Sequence, residues 1–158
     1  LKNNILLSCM TQVLDMVYTE EVREKEGGTY GVNCIGNLQK YPKEQLLMQI
    51  IFQTDPEKKD KLAGIVVDEL KKLAAEGPSD VHLQKVKEYM LKKYADNQKE
   101  NTYWMNNLND YFYYGGLDMT KDYTDIVNSI TAKDIQKFAA DLLKQGNEIE
   151  VTMTVPKK

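Results

Sequence analysis

The chain is short of the side chains from which hydrolytic sites are usually built. Among its 158 residues it has one histidine, His82, two cysteines, Cys9 and Cys34, and a single tryptophan. A Ser-His-Asp or Cys-His site would have to be built on His82, and no strained G-x-S-x-G turn accompanies it. A zinc hydrolase needs several His, Cys or carboxylate ligands and one open position. The H-x-x-E-H helix of a zinc peptidase needs two histidines four apart, so it cannot occur here. His82 follows Gly77-Pro78 in the first turn of a helix and reads as a surface or capping residue. No catalytic residue, metal ligand or cofactor is therefore expected in this chain.

Other absences exclude other classes. No apolar run approaches the roughly 20 residues of a membrane span, and the first residues lack a signal-peptide pattern. Net charge is −3, with 21 basic and 24 acidic residues. A nucleic-acid platform would show a basic surplus on one face; Lys71-Lys72 and Lys92-Lys93, interleaved with acids, read as solvated helix faces. Gly27-Gly28 and Gly115-Gly116 lack the spacing and the Lys-Ser/Thr of a phosphate loop, and read as helix stops. Cys9 and Cys34 have apolar neighbours and no CxxC partner, which favours buried thiols and leaves a disulfide open.

What is present is patterned. Leu6, Met10, Val13, Leu14 and Val17 form one stripe of a helix over 5–26. Thr29 to Leu38 alternates, with Tyr30, Val32 and Cys34 on one face. Leu46 to Gln53 alternates again, with Leu46, Met48, Ile50 and Phe52 on one face, and residues 39–43 form the hairpin loop. Asp55-Pro56 marks a helix start, with the stripe Leu62, Ile65, Val66, Leu70 and Leu73. Ser79 or Asp80 caps a helix carrying Leu83, Val86, Met90 and Tyr94. An aromatic helix follows with Trp104, Leu108, Tyr111 and Phe112; its spacing favours core packing over a base-stacking platform, with some rings at a groove wall. Tyr123, Ile126, Val127 and Ile130 make a short helix. Thr131 to Asp134 is a capping box with Asp in place of Glu or Gln, ahead of Ile135, Phe138, Ala139, Leu142 and Leu143. Ile149, Val151, Met153 and Val155 alternate as a last strand. The order predicts an α+β fold, an antiparallel sheet with helices on one face.

The segment Val22-Arg23-Glu24-Lys25-Glu26-Gly27-Gly28-Thr29-Tyr30-Gly31-Val32 joins the first helix to the first strand. It places Arg23 in the last helical turn and Tyr30 at the strand start, seven positions apart. Each has an ordinary explanation. A cation in a last turn suits the helix dipole and pairs with Glu20, Glu24 or Glu26, and tyrosine is a good half-buried strand residue. Together, beside a strand edge, they also suit binding of extended peptide.

This junction resembles the arginine–tyrosine segment in the C-terminal part of the M16 (pitrilysin/insulinase-type) zinc metallopeptidases. The usual pattern there is Leu-Arg-Glu-x-x-Gly-Leu-Ala/Ser-Tyr. Here Val22 replaces Leu, Gly28-Thr29 replaces Leu-Ala/Ser, and the Gly-Gly-Thr-Tyr form looks like bacterial members. The element order, the Ile-Thr-Ala-Lys-Asp-Ile helix start and the final Val-Thr-Met-Thr-Val-Pro segment extend the resemblance over essentially the whole chain. It implies a processing-peptidase-like metallohydrolase domain. Residues 1–158 are expected to be the later, N-terminally truncated portion of one such domain, because the strands and helix that normally precede Ile5 are absent. The resemblance makes Arg23 and Tyr30 substrate-binding residues. Zinc and the glutamate base would lie in the N-terminal catalytic half of the parent protein, with a peptide as substrate and the periplasm or cell envelope as compartment. Some family copies of the motif are structural, so a piece of a non-catalytic M16-like binding or scaffold subunit is the alternative. An unrelated α+β interaction domain is a third reading. Truncation would also leave apolar surface uncovered, and self-association is expected.

Overall fold

The computed structural model describes residues 1–118 and 120–154. Its organising element is α1 (Lys2–Tyr18), which is buried far beyond a single stripe: Ile5, Leu6, Leu7, Cys9, Met10, Val13, Leu14 and Tyr18 are all inside. The fully buried Tyr18 keeps its phenol satisfied by donating to the Val66 carbonyl at 3.1 Å, as a buried hydroxyl must. After Tyr18 the chain does not stop but widens into a π-helical segment, Thr19–Lys25.

Two strands follow, β1 (Val32–Gln39) and β2 (Gln45–Phe52), paired antiparallel with Val32 opposite Phe52 and Gln39 opposite Gln45. Val32, Cys34, Gly36 and Leu38 turn inward with Leu46, Met48, Ile50 and Phe52, as period-two alternation requires. Gly36 is small for a reason: a Cβ there would lie 2.6–3.0 Å from the Leu7 side chain, so α1 sits directly on β1. The half-buried Asp15 carboxylate accepts the Cys34 N–H at 2.6 Å and pins the same contact. The outer face of the ribbon keeps Ile35, Leu47 and Ile51 about half exposed.

Four helices close over α1 on its other sides. They are α2 (Lys59–Glu76), α3 (Asp80–Asn97), α5 (Tyr123–Ser129) and α6 (Ala132–Lys144), with α2 and α6 packed on each other. Ser79 caps α3 by accepting the His82 N–H, and Thr131 and Asp134 form the full reciprocal box at α6. The two hydrogen bonds from Thr131 to the Asp134 carboxylate hold that acid below its ordinary pKa. The α+β arrangement, the two-strand ribbon and the helix order match the sequence reading.

Several expectations change. The Asp55-Pro56 start becomes a turn, closed by the Lys58 N–H on the Asp55 carbonyl, and α2 begins at Lys59. The aromatic helix α4 (Asn101–Tyr113) buries none of its residues; Trp104 and Leu108 are about half exposed and Phe112 more so. Its stripe is real but thinly covered: Tyr103 meets Tyr94 of α3 edge-on and Tyr113 meets Tyr41 at 5.5 Å. The expected last strand is not formed among the described residues: 147–154 pair with nothing, and Ile149, Val151 and Met153 are open to solvent. A strand is defined by its neighbour, and the only sheet among the described residues is β1–β2. Val155 lies outside the described residues. Cys9 and Cys34 are both buried and unbridged, and burial pushes their thiols up to about 11 and about 12.

Candidate functional site

The junction after α1 is assembled from local chemistry. Where the helix widens, the Thr19 hydroxyl donates to the Asp15 carbonyl at 2.8 Å. Val22 is the one buried residue of the π segment and ties it to the core. Gly27 then takes φ +57, donating its N–H to the Arg23 carbonyl at 3.1 Å, the left-handed exit glycine alone adopts without cost. Gly28 serves closeness instead: a Cβ would meet the Leu62 side chain of α2 at 2.8 Å. Its carbonyl accepts the Thr54 hydroxyl at 2.7 Å, fixing the junction to the end of β2.

Tyr30 is not at the start of β1 but two residues before it. Thr29 and Gly31 bond each other, N–H to hydroxyl and hydroxyl to carbonyl. This local turn competes with the ladder, and β1 begins only at Val32. The Tyr30 side chain is 97% exposed. The half-buried strand explanation for Tyr30 therefore fails, because its ring packs on almost nothing.

Arg23 is also exposed. Two of the three acids that would explain it electrostatically are engaged elsewhere. Glu20 meets His82 Nε2 at 3.1 Å and Glu26 pairs with Lys61, while Glu21, one turn from Lys25, pairs with it at 2.6 Å. Among the described residues, no ion pair or side-chain hydrogen bond involves Arg23, and none joins Arg23 to Tyr30. The two residues thus share one solvent-facing junction, each with its polar group available.

His82 is not the surface residue expected. Its side chain is only 17% exposed and faces Glu20 across 62 residues of sequence. Nothing in the local pattern announces this pair, since it exists only once α3 docks against the π segment. The residues present do not fit zinc. Among those described, no group of three or more His, Cys, Asp or Glu side chains is placed to hold a metal ion, and the one histidine already has a partner. No described helix is long and apolar enough to cross a membrane. A cleft of about 270 Å³ between α1, α3, α4 and α5 is lined by Ser8, Gln12, Asn97 and three tyrosines. Its phenol rings are used on each other, Tyr94 stacking on Tyr123 at 4.3 Å and meeting Tyr103 edge-on at 6.2 Å.

The fold is that of the non-catalytic domains of a peptidase family. It matches the inactive peptidase domain from Bordetella parapertussis at TM-score 0.76 and 16% identity, covering 100% of this chain and 87% of that one. It matches the peptidase M16 inactive domain from Pseudomonas fluorescens at 0.73 and 20%, covering 88% and 34%. The periplasmic protease PqqL from Escherichia coli matches at 0.72 and 18%, covering 88% of this chain. The chain spans 15% of that protease's length. No curated protein matches in sequence. The family model described as Peptidase M16 inactive domain matches residues 1–90, and the chain belongs to that family. Membership removes the reading as an unrelated α+β interaction domain.

Proposed function

We propose that this chain is the later portion of the non-catalytic C-terminal domain of a zinc-dependent M16 endopeptidase, and that Arg23 and Tyr30 bind the peptide substrate. One observation carries the reading: an arginine whose acidic neighbours are mostly paired elsewhere and a tyrosine 97% exposed stand on the same junction, and neither contributes to packing. A guanidinium offers a fixed charge and several donors to peptide carbonyls, and a phenol O–H can donate to the oxygen on which charge develops as water attacks. Zinc and the general base belong to another domain of the parent protein, so the chain alone cleaves nothing. The periplasmic protease among its structural relatives supports an envelope compartment for the parent.

The test is steady-state kinetics of Arg23→Ala and Tyr30→Phe in the full-length protein, beside melting temperatures and a control with the isolated chain. Losing one donor to a developing oxyanion costs on the order of 100- to 1000-fold in rate. Surface substitutions stay within about 0.5 kcal/mol in stability. Wild-type turnover in both variants, or cleavage by the isolated chain, overturns the reading.

A further inference from the structure

The π segment carries more acid than its arginine can use, and the fold disposes of that excess. Glu20 and Glu26 each stand three residues from Arg23, near enough along the chain for a long carboxylate side chain to compete for the guanidinium. Instead His82 of α3 takes Glu20 at 3.1 Å and Lys61 of α2 takes Glu26. These partners come from different helices, 62 and 35 residues away in sequence. The ring of His82 is largely buried, so its bond to Glu20 is held by the packing of α3 and not by a free surface chain. Glu24 neighbours Arg23 directly, and adjacent helical residues do not face each other.

We propose that His82 and Lys61 are positioning residues that hold Glu20 and Glu26 away from Arg23, leaving its guanidinium available to a peptide carbonyl. This rests on the reading of Arg23 as a substrate contact. The same two bonds act as a clamp. Val22 is the only buried residue of the segment, and the Thr19 and Gly28 bonds fix the chain at either end of it. Attachments on both sides of Arg23 add to that support. A widened helical turn at a functional site is a recurring arrangement, and here the attachments say how it is kept in one orientation.

The test separates diversion from simple support. In the 158-residue chain, the Arg23 Nε–Hε resonance is followed by ¹⁵N NMR for shift and solvent exchange. His82→Leu with Lys61→Met should shift that resonance and slow its exchange, as the freed carboxylates pair with it. Adding Glu20→Gln and Glu26→Gln should return it to the wild-type position, and His82→Gln, which keeps a donor, should leave it there. In the full-length protein the His82→Leu/Lys61→Met variant should lose about 2- to 5-fold in kcat/KM, the weight of one or two helical ion pairs, and the added glutamines should restore it. A residue that only supported the fold would not be rescued by removing its partner's charge. An unchanged Arg23 resonance in His82→Leu/Lys61→Met overturns the proposal whatever the kinetics. A responsive resonance with kinetics indifferent to Arg23→Ala instead overturns the substrate reading and leaves the diversion standing.

Discussion

Asp15 offers a sharp test of how α1 is joined to the ribbon. Its carboxylate accepts the Cys34 backbone N–H at 2.6 Å. Asp15→Ala would leave that donor without a partner at a buried position, which costs about 1–3 kcal/mol. At this chain length each kcal/mol lowers the melting temperature by about 2–4 °C. Asp15→Asn behaves differently, because a side-chain carbonyl remains to accept the bond while the charge disappears. Burial holds the Asp15 carboxyl above its ordinary value, with the Cys34 bond pulling the other way. The folded chain therefore binds this proton more tightly than the unfolded chain. Its contribution to stability is fully present in acid and falls as pH rises from the unfolded value of 3.8 through the raised folded value. At neutral pH the asparagine variant should equal or exceed wild type, with its advantage shrinking in mild acid, while the alanine variant is destabilised throughout. Thermal and denaturant melts of the three proteins at both pH values decide it. If Asp15→Asn loses as much as Asp15→Ala at neutral pH, the charge and not the acceptor matters, and the account is wrong.

Gly36→Ala should destabilise the chain by about 1–3 kcal/mol through overpacking, since its Cβ would fall on the Leu7 side chain; in denaturant melts the Gly36→Ala/Leu7→Ala pair should lose less than the sum of the single changes. The chain should also self-associate. Neither strand of the ribbon carries a charge, which leaves unguarded edges for pairing, and Ile149, Val151 and Met153 are open to solvent. Sedimentation that shows a monomer at high concentration would contradict this.

The ribbon was legible because period-two alternation states which residues share a face: Val32 with Cys34, and Leu46, Met48, Ile50 and Phe52 together; the register that sets Cys34 opposite Ile50 came only with the structure. The helix caps at Ser79 and Thr131 were legible because their chemistry is local. What failed was tertiary. The stripe from Trp104 to Phe112 shows that α4 is two-faced, but periodicity does not say whether anything covers the apolar side. The alternation at 149–155 is strand-like, yet no neighbouring strand meets it in the part described. Thr19–Lys25 is rich in charge and has one apolar anchor, so nothing in it distinguishes an α turn from a wider one. Of the site, Arg23 and Tyr30 stood out as a pair by motif, while His82 and Lys61 became visible only through docking. Tyr30 was misplaced by two residues because Thr29 diverts the backbone into its own turn.

The burial of α1 has a consequence for how the chain is made. This helix leaves the ribosome before the ribbon and the helices described above that pack on it, and the last of these, α6 with Ile135 and Ala139, is more than a hundred residues downstream. At roughly 5–20 residues per second, Met10, Val13 and Leu14 wait on the order of ten seconds for their full set of neighbours. The ribbon arrives early and shields one side. The other side is covered stepwise as α2, α3 and α5 emerge and is complete only with α6, so until then the nascent chain presents a helix-shaped target to any cellular factor that binds exposed apolar surface.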